Sequence, residues 1–146
     1  MRRIIMLLTA VGLAGSANAQ LPGLSRRGPA APVLQGIDGL RADFVMRSGG
    51  DTVYFGPDSA VLGPPARATL AAQAQWLLQH PAVLVRIEGH ADASDTRSHA
   101  LAVGARRAEE VRDYLVLLGV PAAQLGITSW GKERPGAGRA VTVLVR

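Results

Sequence analysis

The sequence predicts an α/β fold of order β-α-β-α-β-β, a two-layer sandwich in which two helices cover one small mixed sheet. Three observations predict it. A long run from Ser98 to Leu118 repeats apolar residues at helical spacing, a second helical run lies between Pro64-Pro65 and Pro81, and short alternating segments flank both runs. Strands joined through helices need crossovers that lie on a sheet face, which places the helices in a layer of their own.

The elements follow in chain order. Met1-Arg2-Arg3, the apolar run Ile4 to Ala14 and the ending Ala17-Asn18-Ala19 form a secretory leader over residues 1–19, with cleavage expected between Ala19 and Gln20. That apolar run is well short of the roughly 20 residues that span a bilayer, so no transmembrane segment is expected after cleavage. Residues 20–50 carry Pro22, Pro29, Pro32 and glycines at 23, 28, 36, 39, 49 and 50, a tether by composition. Ile37, Leu40, Phe44 and Val45 are spaced for one short helix within it.

The folded domain is assigned to residues 51–146. Asp51 to Phe55 is β-branched and aromatic and is stopped by Gly56-Pro57, a short strand. A helix over 64–79 follows, opened by Pro64-Pro65 and closed by Pro81, with Leu70, Ala74, Leu77 and Leu78 on one face. Val83 to Glu88 alternates, with Val83, Val85 and Ile87 inward and Arg86 and Glu88 outward, a strand buried chiefly on one side. The loop from Gly89 to Asp95 leads to the long helix. Its stripe is Leu101, Ala105, Ala108, Val111, Leu115 and Leu118, and Gly119 ends it. Ile127 to Trp130 makes a third strand, and Ala140 to Arg146, with Val141, Val143 and Val145 alternating, makes a fourth.

The formal charge of +5 hints at a polyanion, but its distribution argues otherwise. Arg2 and Arg3 belong to the leader, four Arg against two Asp lie in residues 20–50, and residues 51–146 carry ten basic and nine acidic side chains. The domain is nearly neutral, and no nucleic-acid partner is expected. The chain has no cysteine, which excludes disulfides, zinc-thiolate sites and a thiol nucleophile.

Asp92 and Arg107 are the residues with the chemistry to hold a ligand. Asp92 lies where a strand gives way to a helix, and Arg107 flanks the helix stripe beside Ala108. A carboxylate and a guanidinium in one cleft would hold a zwitterion, the first on its ammonium and the second, bidentate, on its carboxylate. From spacing alone the pair is a weak signal, and a solvated helix face of Arg106, Arg107, Glu110 and Asp113 is the favoured reading.

Val53-Tyr54-Phe55, the loop Ile87-Glu88-Gly89-His90-Ala91-Asp92, and Leu101 through Gly104-Ala105-Arg106-Arg107-Ala108 to Val111 resemble the OmpA-like domain family. Tyr114-Leu115, Gly119-Val120, Trp130-Gly131-Lys132-Glu133 with Pro135, and Arg139-Ala140-Val141 extend the resemblance over about residues 51–146. It implies the same sandwich and a non-catalytic domain that binds cell-wall peptidoglycan, with no cofactor. It further implies that Asp92 and Arg107 grip the ammonium and carboxylate of stem-peptide diaminopimelate. The N–H groups around Ala91 and Ala93 would add donors, and Arg139 stands for a pair of arginines.

The chain departs from the family in places. Ala100 stands where the family has Asn, and Asp95 where a small loop residue is usual. Only Gly136-Ala137-Gly138 separate Pro135 from Arg139, where the family has a longer loop. The shortening is expected to remove one wall of the pocket or make it shallower. These departures support an alternative: an envelope scaffold of the same fold that no longer binds peptidoglycan. On either reading the protein resides in the periplasm, at the wall or outer membrane, with other envelope proteins as further candidate partners. Leu13-Ala14-Gly15-Ser16 resembles a lipobox with Ser in place of Cys, so the protein is expected not to be lipid-anchored.

Other constellations carry less. His90, Asp92, Asp95 and His99 cross a loop into a helix without a recognised ligand pattern, so no metal is expected. Ser94, His90 and Asp92 are adjacent in sequence, which is not how a triad is built, and no G-x-S-x-G or H-E-x-x-H is present. His90 is expected to bond backbone at the strand end.

Overall fold

The computed structural model describes residues 36–94, 96–134 and 136–146. The leader expected at 1–19 and the tether as far as residue 35 lie outside the described residues, as do Asp95 and Pro135.

The elements are α1 (Ile37–Ser48), β1 (Thr52–Tyr54), α2 (Pro64–Gln79), β2 (Val85–His90), α3 (Arg97–Leu117), a 3₁₀ turn at Ala122–Gln124, β3 (Leu125–Gly131) and β4 (Arg139–Leu144). The sheet order is β1-β4-β2-β3. β2 and β3 are parallel, as a helical crossover through α3 requires, and β4 runs antiparallel to both β1 and β2. The last strand is therefore inserted between the first two, which run the same way.

One face of this mixed sheet is covered. Val53, Val85, Ile87, Ala140 and Leu144 meet Leu70, Ala74 and Leu77 of α2 and Ala108, Val111 and Leu115 of α3 in one apolar core. The buried residues of β4 are Ala140, Thr142 and Leu144, so its valines point the other way. Thr142 is tolerated inside because its Oγ1 donates to Gln73 Oε1 at 2.9 Å, and Gln73 Nε2 in turn donates to the Gly50 carbonyl at 3.0 Å.

α2 spans the residues expected, bounded by its prolines. β2 starts and ends two residues later than expected, and Glu88, on the outer face beside Arg86 as expected, is nevertheless only 3% exposed. Burial is possible because Arg86 and Arg134 each reach that carboxylate at 2.9 Å. In α3 the buried set is Ala100, Val103, Gly104, Arg107, Ala108, Val111 and Leu115, while Leu101 is exposed. The N-terminal half of the helix thus presents a different edge from the apolar one, for reasons that lie in Gly104 and Arg107.

The short helix allowed within the tether is α1, and it is part of the folded body. Phe44 is buried in the main core and meets Trp76 edge-on with centroids 5.2 Å apart. Trp76 Nε1 donates to Asp43 Oδ2 at 2.7 Å, and this bond, followed by that from Arg47, holds the Asp43 carboxyl below its ordinary value. Gly49 at φ 76° closes α1 in the left-handed region.

Candidate functional site

Asp92, Arg107 and the short segment before β4 meet at one end of the sheet. α3 delivers Arg107 inward because a pair of glycines lets it approach β2: a Cβ on Gly89 would fall on the Gly104 carbonyl group, and one on Gly104 would lie 2.9 Å from the Gly89 oxygen. Seated this close, Arg107 is 0% exposed and lies in the buried face of α3 rather than beside it. Its Nε donates to the Ser59 carbonyl at 2.8 Å, Nη1 to His90 at 2.7 Å and Nη2 to Gly56 at 2.9 Å. The ring of Phe55 lies 5.3 Å from its Cζ. The planar fork lets one side chain tie β2, α3 and the loop after β1 together.

Asp92 is half-buried, and its Oδ1 accepts from the Gly138 N–H at 2.9 Å. It does not cap α3, whose N-cap is Thr96, accepting from the His99 N–H. Gly138 also lies against Arg107: a Cβ there would come within 2.7 Å of Cζ and Nη2. Its carbonyl accepts from the Phe55 N–H at 3.0 Å. At the end of the shortened segment, Gly138 lies against both charged side chains. Gly138 is absent from the sequence-derived set, because only its small size signals the contact.

The other expected contacts divide. The Ala91 N–H donates to the Gly131 carbonyl at 2.8 Å, so it is committed to the sheet and is not a spare donor. Ala93 is exposed in the turn. Arg139 alternates away from Gly138 and Ala140, onto the sheet face opposite α3, where it pairs in register with His90. Its Nη1 donates to the Ala137 carbonyl at 3.2 Å. Ala100 is 0% exposed in a small apolar cluster with Ala91 and Val103, so this position lines packing rather than an open cleft. The carbonyls of Gly56 and Ser59 carry no side-chain signature by which sequence could have found them.

His90 is 1% exposed, and its ring Nδ1 has no hydrogen-bond partner, against the expectation of a backbone bond there. Burial, with the nearby Arg139 charge second, pushes its pKa below the ordinary 6.5. The folded state holds the ring neutral while the unfolded chain binds a proton. Stability from this site is complete above pH 6.5 and falls as pH drops through the lowered value. We expect His90→Gln to flatten the acid limb of a melting-temperature profile between pH 7 and 5, and an unchanged slope would contradict this.

His99 is engaged by Asp58 at 2.8 Å. Among the described residues no three His, Asp or Glu side chains gather to hold a metal ion; Asp95 lies outside them.

The chain matches the model of the OmpA family over residues 54–143. It is 40% identical to a peptidoglycan-associated lipoprotein of Agrobacterium fabrum, covering 97% of this chain and 86% of that one. A peptidoglycan-associated lipoprotein of Mesorhizobium japonicum is 41% identical, with 92% and 79% covered. Among solved structures, the peptidoglycan-associated lipoprotein from Burkholderia pseudomallei is similar at a TM-score of 0.64 and 37% identity, over 66% of this chain and 92% of that chain. The C-terminal domain of Helicobacter pylori MotB shares the fold alone, at a TM-score of 0.59 and 20% identity, over 66% and 84%.

These names correct one expectation. The missing cysteine predicts a protein that is not lipid-anchored, yet the relatives matched over most of the chain are lipoproteins by name. A missing thiol removes one covalent attachment chemistry and says nothing more about anchoring. The fold, the matched residues 54–143 and the relatives at about 40% identity together place the chain in the OmpA family.

Proposed function

We propose that the protein associates with cell-wall peptidoglycan at the periplasmic side of the envelope, binding it without cleaving it. Asp92 takes the ammonium and Arg107 the carboxylate of diaminopimelate in the stem peptide, with the N–H of exposed Ala93 as the remaining loop donor. The observation that carries this reading is that Asp92 and Arg107 converge on a single residue, Gly138. Opposite charges on either side of one residue suit a ligand that carries both an ammonium and a carboxylate, and the guanidinium fork suits the carboxylate. The relatives named for peptidoglycan support the polymer as the partner.

A second reading is favoured by one observation, the burial of Arg107 with Nε, Nη1 and Nη2 each on a backbone carbonyl. On it, Arg107 is a structural tie in a scaffold domain that has lost the wall. Co-sedimentation with purified sacculi separates the two. Wild type should pellet with the wall, and Asp92→Ala should remain in the supernatant while melting close to wild type. A wild type that never pellets, or an Asp92→Ala that pellets equally, favours the scaffold.

A further inference from the structure

Gly138 is not in the left-handed region, so no backbone requirement explains its glycine. The close approach to Arg107 does. Its N–H sits on the Asp92 carboxylate, the side on which a Cβ would stand faces the guanidinium with no room for it, and its carbonyl is fixed by the Phe55 N–H at 3.0 Å. One buried backbone unit thus presents a hydrogen-bond donor to the acid and lies over the base.

We propose that Gly138 is a built-in competitor of the ligand: the chain's own backbone occupies the Asp92–Arg107 site, and a stem peptide enters by displacing it. This rests on the reading above that these two residues are the ligand's contacts. The N–H stands where an ammonium would approach Asp92, and the Cα stands where a carboxylate would approach the guanidinium. Apparent affinity is then the intrinsic affinity multiplied by the fraction of molecules in which residue 138 has left its seat. Gly138 is therefore the residue that sets affinity at this site, although it offers the ligand no side chain. A methyl group at 138 cannot share space with Nη1, Cζ and Nη2, and because three carbonyls hold that guanidinium the proposal is that alanine moves the backbone off its seat and leaves Arg107 in place.

The test is calorimetric titration of the tripeptide L-Ala-D-Glu-diaminopimelate into wild type and Gly138→Ala, each with and without Asp92→Ala, with fold checked by circular dichroism. Gly138→Ala is expected to bind at least about tenfold more tightly than wild type, and Asp92→Ala to remove binding from both. In wild type, hydrogen exchange at the Gly138 amide should be slow in the free protein and speed up when the tripeptide saturates it. If wild type binds through Asp92 while Gly138→Ala binds no more tightly, or the Gly138 amide stays protected in the complex, this inference is overturned and the diaminopimelate reading stands. If neither protein binds the tripeptide, that reading falls and this inference with it.

Discussion

Arg107→Met is expected to lower stability by about 3–5 kcal/mol, since it removes three hydrogen bonds from a charged donor, each worth about 1.5–3 kcal/mol net at most. Arg107 is 0% exposed and satisfies the carbonyls of Ser59, His90 and Gly56 at 2.7–2.9 Å. The buried His90 carbonyl left unpaired costs about 1–3 kcal/mol and the part-buried Ser59 and Gly56 carbonyls less, and methionine fills much of the volume without replacing any donor. For a body of this size the melting temperature should fall by more than about 10 °C. Arg107→Lys should lose less, since it keeps a charge but cannot reproduce the three-way fork. Thermal melts followed by circular dichroism check both, and a loss below about 1 kcal/mol for methionine would remove Arg107 from its place as the tie between β2, α3 and the loop after β1.

Gly89→Val should be more damaging still. A Cβ at Gly89 overlaps the Gly104 carbonyl oxygen, lies 2.7 Å from its carbon and 3.2 Å from the Ala108 Cβ. Two of those neighbours are helix backbone and the third is a Cβ with no rotamer to change, so nothing can rotate away and α3 must leave the sheet. Ordinary overpacking costs about 1–3 kcal/mol. Displacing the helix that carries Ala108, Val111 and Leu115 into the core costs more, and about 5 kcal/mol is enough to unfold a domain of typical stability. Soluble yield and the circular dichroism of whatever remains give the readout. Gly126→Ala is the control: its Cβ would meet only the Val85 oxygen, at 3.7 Å, and it should cost less than about 1 kcal/mol. Equal behaviour of the two variants would mean that the Gly89–Gly104 contact does not set the seat of α3.

These same residues mark where sequence reading succeeds and where it stops. Helix α2 is legible end to end because prolines punctuate it on both sides. The C-terminal stripe of α3 is legible because Ala108, Val111 and Leu115 are apolar and buried. Its N-terminal half misleads because Gly104, which decides the approach, has no hydrophobic signal, and because a buried arginine reads as a surface one. The end of β2 shifts because Gly89 and His90 resemble a loop, whereas the glycine is the contact with α3 and the histidine is covered; its start shifts because the Val83 N–H is taken by the His80 carbonyl in the preceding turn. In β4 the valines advertise the core, but the helices cover Ala140, Thr142 and Leu144. At the candidate site, Asp92 and Arg107 can be found from residue type and spacing. What lies over them cannot, since Gly56, Ser59 and Gly138 act there through backbone atoms.

Asp92 and Arg107 are proposed to recognise the two charged groups of diaminopimelate. Sacculi whose stem peptides carry diaminopimelate, compared in one co-sedimentation series with sacculi carrying lysine at that position, test it most directly. Lysine keeps the side-chain ammonium and lacks the carboxylate beside it. The account predicts retention on the first and release from the second, by a margin of about tenfold or more for one lost charge-assisted contact. Equal retention on both polymers would contradict it.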